Sequence, residues 1–136
     1  MYNTILVPIE LSHKGSGINA IQIAKKLIND QGEVILLSVM ADIPASVEVV
    51  MPKDLLNESK KRLFAELTKI AKDEGIGSKI ELRSGHAANE ILEVADSHNV
   101  DLIIIASHQP DLSDYFLGST AARVVRHAQC PVLVDR

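Results

Sequence analysis

Three stretches of this chain, Thr4 to Ile9, Glu33 to Met40 and Asp101 to Ala106, are near-continuous apolar runs, not alternating ones. A strand with one face in water alternates polar and apolar residues, whereas a strand buried on both faces does not. Burial on both faces is met by a parallel sheet covered by helices on either side. Two shorter runs, Lys79 to Arg83 and Pro131 to Asp135, also read as strands.

The segments between them repeat with helical spacing. In the first, Ile21, Ala24, Leu27 and Ile28 form the apolar stripe, and Gly32 is expected to end the helix. The second spans Pro52 to Glu74, with Pro52 in its first turn and Leu56, Leu63, Leu67, Ile70 and Ala71 facing inward. Lys60, Lys61, Arg62 and Lys69 then form an ordinary solvated face. The third helix buries Ala88, Ile91, Leu92 and Ala95. The fourth starts near Ser119 and is expected to bury Ala121, Ala122, Val125 and Ala128.

The order is therefore β-α-β-α-β-α-β-α-β. Strict alternation implies parallel strands joined by right-handed helical crossovers, hence a three-layer α/β/α sandwich. One domain is expected to cover residues 1–136, with no repeat, low-complexity tract or linker. The one long irregular stretch, Ala41 to Met51, carries an apolar tip of Val47, Val49, Val50 and Met51. It reads equally as a lid or partner contact and as a loop tucked over the sheet edge.

Aromatic residues make up only 3% of the chain and Trp is absent, so the core must be built from Val, Ile, Leu and Ala. The same scarcity argues against a stacking surface for single-stranded nucleic acid. A net charge of −4 argues against nucleic acid in general. No apolar run reaches the length of a membrane span. Met1 to Thr4 lead straight into a strand without a signal peptide, and the lone Cys130 excludes an internal disulfide framework or a Cys-based zinc site. The expectation is a soluble cytoplasmic domain that binds neither membrane nor nucleic acid.

In an open parallel sheet, ligands bind beyond the C-terminal strand ends, where the winding direction reverses. The segments there are Glu10-Leu11-Ser12, Met40 to Asp42, Ser84-Gly85 and the polar stretch that follows Ile105. That last stretch ends in Gly118-Ser119-Thr120 at the start of a helix. A helix start exposes unpaired N–H groups and partial positive charge, a natural seat for phosphate. Gly118 lets an anion approach the backbone, Ser119 or Thr120 can donate a hydroxyl, and Ala106 and Ser107 leave room for a sugar. The same triplet also suits a plain helix cap.

No G-x-x-x-x-G-K-[ST] loop is present. Gly15-Ser16-Gly17-Ile18-Asn19-Ala20 matches G-x-G-x-x-A, but Glu10 to Lys14 separate it from the strand, so it reads as a decoy for a dinucleotide site. Five histidines are scattered: His86, His98 and His127 fall at helix ends, and none pairs with another at metal-ligand spacing. Cys130 reads as a small buried hydrophobe. No general base stands out, and the only cation near Gly118 is Arg123 inside the helix, so no catalytic residues are assigned.

Over its whole length the chain resembles the universal stress protein family. The resemblance is carried by Ile5-Leu6-Val7-Pro8-Ile9-Glu10, by Ile103-Ile104-Ile105-Ala106-Ser107-His108, by Leu117-Gly118-Ser119-Thr120-Ala121-Ala122-Arg123-Val124-Val125-Arg126-His127-Ala128 and by Cys130-Pro131-Val132-Leu133-Val134. Ala106-Ser107-His108-Gln109-Pro110-Asp111, Tyr115 and Leu117-Gly118-Ser119 are similar to a UspF-like, ATP-binding subgroup.

The resemblance implies a five-stranded sheet in order 3-2-1-4-5, an adenine nucleotide alpha hydrolase-like arrangement, and a homodimer through strand 131–135. It also implies ATP, or ADP or AMP, with or without Mg²⁺. Pro8, Ile9, Glu10 and Val39 would line the adenine and its sugar. Ala106, Ser107 and His108 would follow the ribose and phosphates, and Gly118, Ser119 and Thr120 would hold the phosphate tail.

The family's G-x-x-G-x9-G-[ST] pattern is altered here. Ala106 and Gln109 replace the first two glycines, eight residues separate Gln109 from Gly118, and Glu10 replaces an Asp. The resemblance therefore implies a dimeric, ATP-binding stress or regulatory protein acting on an unidentified protein partner. The alternative is a nucleotide-free interaction module of the same family, in which Asp111 or Asp114 would sit in the cleft and repel phosphates. Asp135, at the end of the edge strand, is expected to shorten pairing with a second copy or to bridge to Arg136 of that copy; the alternative is a monomer whose edge Asp135 guards.

Overall fold

The computed structural model describes residues 1–11, 14–41, 46, 52–107 and 117–136. Five strands, β1 (Tyr2–Pro8), β2 (Ile28–Met40), β3 (Ser78–Ser84), β4 (Leu102–Ala106) and β5 (Val132–Asp135), form one sheet. Their order is β3-β2-β1-β4-β5, and every neighbouring pair is parallel. Four helices, α1 (Lys14–Leu27), α2 (Lys53–Asp73), α3 (Ala87–Ser97) and α4 (Ser119–His127), connect them.

The apolar runs explain the layers. Along β1 and β4, successive side chains enter opposite cores. Ile5, Val7, Leu102 and Ile104 pack with Ala20, Ile21 and Ala24 of α1 and Leu67 and Ala71 of α2. Leu6, Ile103 and Ile105 pack on the other face with Ala88, Ile91, Val94 and Ala95 of α3 and Ala121 and Val124 of α4. A side chain in the middle of these runs lies in one core or the other, so they are almost wholly apolar; Ser38 of β2 is a buried polar exception.

Several sequence expectations change. Helix α1 ends at Leu27, and Ile28 already belongs to β2, opposite Tyr2. From Ile28 to Glu33 β2 advances five residues while β1 advances two, from Tyr2 to Thr4, so the intervening segment bulges. Gly32, expected to cap the helix, lies within that strand, and Asn29 anchors it by donating to Asn3 Oδ1 at 2.7 Å.

On α4 the buried positions are Ala121 and Val124, and Val125 is 46% exposed. On α2 only Leu67 and Ala71 are buried; Leu56, Leu63 and Ile70 are half-buried. Pro52 is the N-cap of α2, one position ahead of the helix. The lysine-rich face of α2 is exposed, as its spacing predicts.

The two sheet edges differ in chemistry. On β3, Lys79, Glu81 and Arg83 share one face and bond to one another and to α3. Arg83 lies 3.6 Å from Glu81, 3.9 Å from Glu90 and 3.7 Å from Glu93. His98, the C-cap of α3, places Nε2 3.2 Å from Glu81. At the opposite edge, β5 presents Val132, Leu133 and Val134, all half-buried. Asp135 does not extend outward from it; its carboxylate accepts a hydrogen bond from Asn19 Nδ2 of α1 at 2.6 Å.

Asp101 ties the start of β1 to the start of β4. Its carboxylate accepts the backbone N–H groups of Asn3 at 2.9 Å and Thr4 at 3.0 Å, and its own N–H donates to Thr4 O. Asp101→Ala should destabilise the fold by about 1–2 kcal/mol, since one bond is exposed and water can replace the lost acceptor there. Urea unfolding of the variant beside its parent measures this.

Cys130 is half-buried against the α3–α4 core. Burial, with added repulsion from Asp101 and Asp96, pushes its thiol above the ordinary value. It therefore stays protonated and weakly nucleophilic at neutral pH.

Candidate functional site

The winding reverses between β1 and β4, the central neighbours in the sheet. Beyond their C-terminal ends lies a cleft of about 230 Å³. Pro8 closes β1, and Ile9 continues past it, donating its N–H to Leu37 O at 2.7 Å. Ile9 is buried, while Glu10 next to it is exposed at the cleft wall. Leu37 and Val39 of β2 and Ile105 and Ala106 of β4 complete the strand side.

Helix starts surround this floor. Ala87 and Ile91 come from the first turns of α3, and Thr120 comes from the first turn of α4. Helix α3 is aimed here by Gly85, whose φ of 141° disfavours a side chain and whose N–H donates to Met40 O at 2.9 Å. Helix α1 contributes Gly17. A Cβ there would lie 3.0 Å from Ile9 Cγ2, so glycine lets α1 press against the end of β1.

The first turn of α4 has no acidic side chain, so its partial positive charge is uncompensated by its own residues. Gly118 is the N-cap, with φ −57° and ψ 150°, an ordinary extended conformation that glycine is not needed to reach. Its carbonyl accepts the Ala122 N–H at 2.8 Å, and its own N–H donates to Ser107 Oγ at 3.0 Å. Ser107 in turn donates its N–H to Asp135 O at 2.8 Å.

Pro8, Ile9, Glu10, Val39, Ala106 and Thr120, singled out from sequence, thus lie on one cleft wall. Ser107, Gly118 and Ser119 stand beside the cleft and do not line it; Ser107 and Gly118 bond to each other, and Ser119 is exposed. His108, Gln109, Asp111, Asp114, Tyr115 and the apolar tip Val47 to Met51 fall outside the described residues. Sequence reasoning missed Gly17, Leu37, Ala87, Ile91 and Ile105. The decoy segment Gly15 to Ala20 supplies one wall residue, Gly17, through close packing. Among the described residues no group of three or more His, Cys, Asp or Glu could hold a metal ion, and no helix is long and apolar enough to cross a membrane.

The model of the universal stress protein family matches residues 1–136. The chain belongs to this family. Universal stress protein G of Escherichia coli O157:H7 is 30% identical to it over 146 residues, covering 100% of both chains. Universal stress protein MJ0531 of Methanocaldococcus jannaschii is 30% identical over 139 residues, covering 98% of this chain and 82% of its own. The solved structure of protein MJ0577 superposes with a TM-score of 0.78 at 30% identity, over 98% of this chain and 95% of its own.

Two more distant structures share the family fold. One is a universal stress protein in complex with cAMP, at TM-score 0.70 and 20% identity over 99% of this chain and 97% of its own. The other, from Archaeoglobus fulgidus, is in complex with dAMP, at TM-score 0.66 and 18% identity over 99% of this chain and 98% of its own. The three-layer universal stress protein fold, with its sheet order, is thereby shared.

Proposed function

We propose that this universal stress protein binds an adenine nucleotide, ATP foremost, in the cleft between β1 and β4. It acts as a cytoplasmic stress-response or regulatory dimer whose contact with a protein partner depends on the bound nucleotide. The observation that carries this reading is the joining of Pro8, Ile9, Glu10, Val39, Ala106 and Thr120 around one cleft at the reversal point, between two helix starts.

Each lining residue has a physical task in this reading. Ile9, Val39, Leu37 and Ile105 offer an apolar slot for a purine. The Glu10 carboxylate accepts hydrogen bonds from ribose hydroxyls. At about 230 Å³ the cleft is smaller than the roughly 300–1,000 Å³ of ordinary ligand pockets, so it suits a base and part of a sugar. The phosphates then leave along Ala106 toward Thr120, Ser119 and Gly118, where the α4 dipole favours negative charge. The cAMP and dAMP held by two proteins of the same fold support an adenine ligand.

The dimer in this reading forms along β5, whose apolar edge is the natural partner of its own copy about a two-fold axis.

Protein purified without added nucleotide is expected to release an adenine nucleotide on denaturation, read by mass spectrometry. Emptied protein should then give a heat of binding with ATP. Parallel titrations with ADP and AMP, with and without Mg²⁺, rank the ligands. No released nucleotide and no heat at millimolar ATP sink the proposal.

A second reading, a nucleotide-free interaction module, draws on one observation: the Gly118 N–H already has a partner in Ser107 Oγ. Pull-down of partners with and without ATP separates the two.

A further inference from the structure

The Gly118–Ser107 contact has a chemistry of its own. Gly118 N–H belongs to the helix start that the reading above assigns to the phosphate tail, on which this inference rests. The N–H donates to Ser107 Oγ, 3.0 Å away across 11 residues of sequence. Neither residue lines the cleft that takes the base. The hydroxyl oxygen stands where an anionic oxygen would stand: it accepts from the N-cap amide of a helix whose first turn has no acidic residue. Ser107 is itself fixed from behind, because its backbone N–H is held by Asp135 O at 2.8 Å.

We infer that Ser107 is an internal occupant of the phosphate seat, a specificity-determining residue that a polyphosphate must displace and a nucleoside need not. The base and sugar enter a cleft that is already open. The phosphate tail reaches Gly118 only after the Ser107 side chain turns away and surrenders its N–H donor. Ser107 thereby narrows the preference of the site for ATP over adenosine.

The test compares the parent with Ser107→Ala and Ser107→Thr. Alanine removes the oxygen and leaves the amide open; threonine keeps a hydroxyl on the same atom. One net hydrogen bond corresponds to roughly two- to tenfold in affinity. The ratio of ATP affinity to adenosine affinity, from calorimetry, should therefore rise by about two- to tenfold in Ser107→Ala and stay near the parent's in Ser107→Thr. A ratio unchanged or lowered by Ser107→Ala overturns the inference; a lowered one would mean that the hydroxyl contacts the phosphates.

A second readout needs no nucleoside. Inorganic triphosphate should shift the Gly118 amide resonance at lower concentration in Ser107→Ala than in the parent, and Gly118 amide exchange in the free protein should be faster in the alanine variant. No difference in either measurement also overturns it. If triphosphate behaves as expected but neither ATP nor adenosine binds, the role of Ser107 stands and the adenine reading fails.

Discussion

An Ala106→Phe chain should keep its fold and lose adenine-nucleotide affinity by about a hundredfold or more, equivalent to about 2.7 kcal/mol. Ala106 is the last residue of β4, half-buried, and forms part of the cleft wall. Phenylalanine suits a strand end, and its ring has open volume to enter, so the backbone pairing with Asp135 in β5 is not strained. That volume is the slot assigned to the base and sugar, and a cleft of about 230 Å³ cannot hold both a phenyl ring and a nucleoside. Calorimetric titration with ATP, beside circular dichroism of the variant, reads both halves of the expectation. Full affinity in a folded variant would move the ligand elsewhere.

The second large effect concerns stability. Leu6 and Ile104 are fully buried, one in each core. Truncating either to alanine removes apolar contacts from a close-packed interior and leaves a cavity that central strands cannot collapse to fill. Leu6→Ala and Ile104→Ala should each cost about 2–5 kcal/mol. Against a typical total of roughly 5–15 kcal/mol, either loss takes a large share of the stability. Urea unfolding should show a lower midpoint at an unchanged slope. A cost below about 1 kcal/mol would contradict the double-core account of the fold.

The architecture was legible because burial on both faces writes itself into composition: no polar residue interrupts Leu102 to Ile105, and helical periods fill the intervals. The places where reading failed are those where a partner far along the chain decides. Ile28 sits at helical spacing from Ala24 and Ile21, and only its pairing with Tyr2 makes it a strand residue. Val124 and Val125 are equally apolar; the rotation that buries the first and exposes the second is set by the packing of a nine-residue helix.

The cleft divides the same way. Pro8, Ile9, Glu10 and Ala106 were visible because strand ends are visible. Gly17 was not singled out as a wall residue because its contribution is a missing Cβ against Ile9, which no motif encodes. For Ser107 the resemblance gave a place along the ribose and phosphates; its bond to the Gly118 N–H was not legible, because that contact exists only once the end of β4 and the start of α4 are brought together.

The unlike margins of the sheet bear on how far assembly can go. A protomer with two receptive borders could add copies without end and grow into a ribbon. Here the β3 border carries Lys79, Glu81 and Arg83, whose charges would lose hydration and meet their like in a stacked neighbour. In the proposed dimer, joining through β5 would use up the receptive border of each copy. The resulting continuous sheet would finish in charged strands at both extremities, and polymerisation would stop at two.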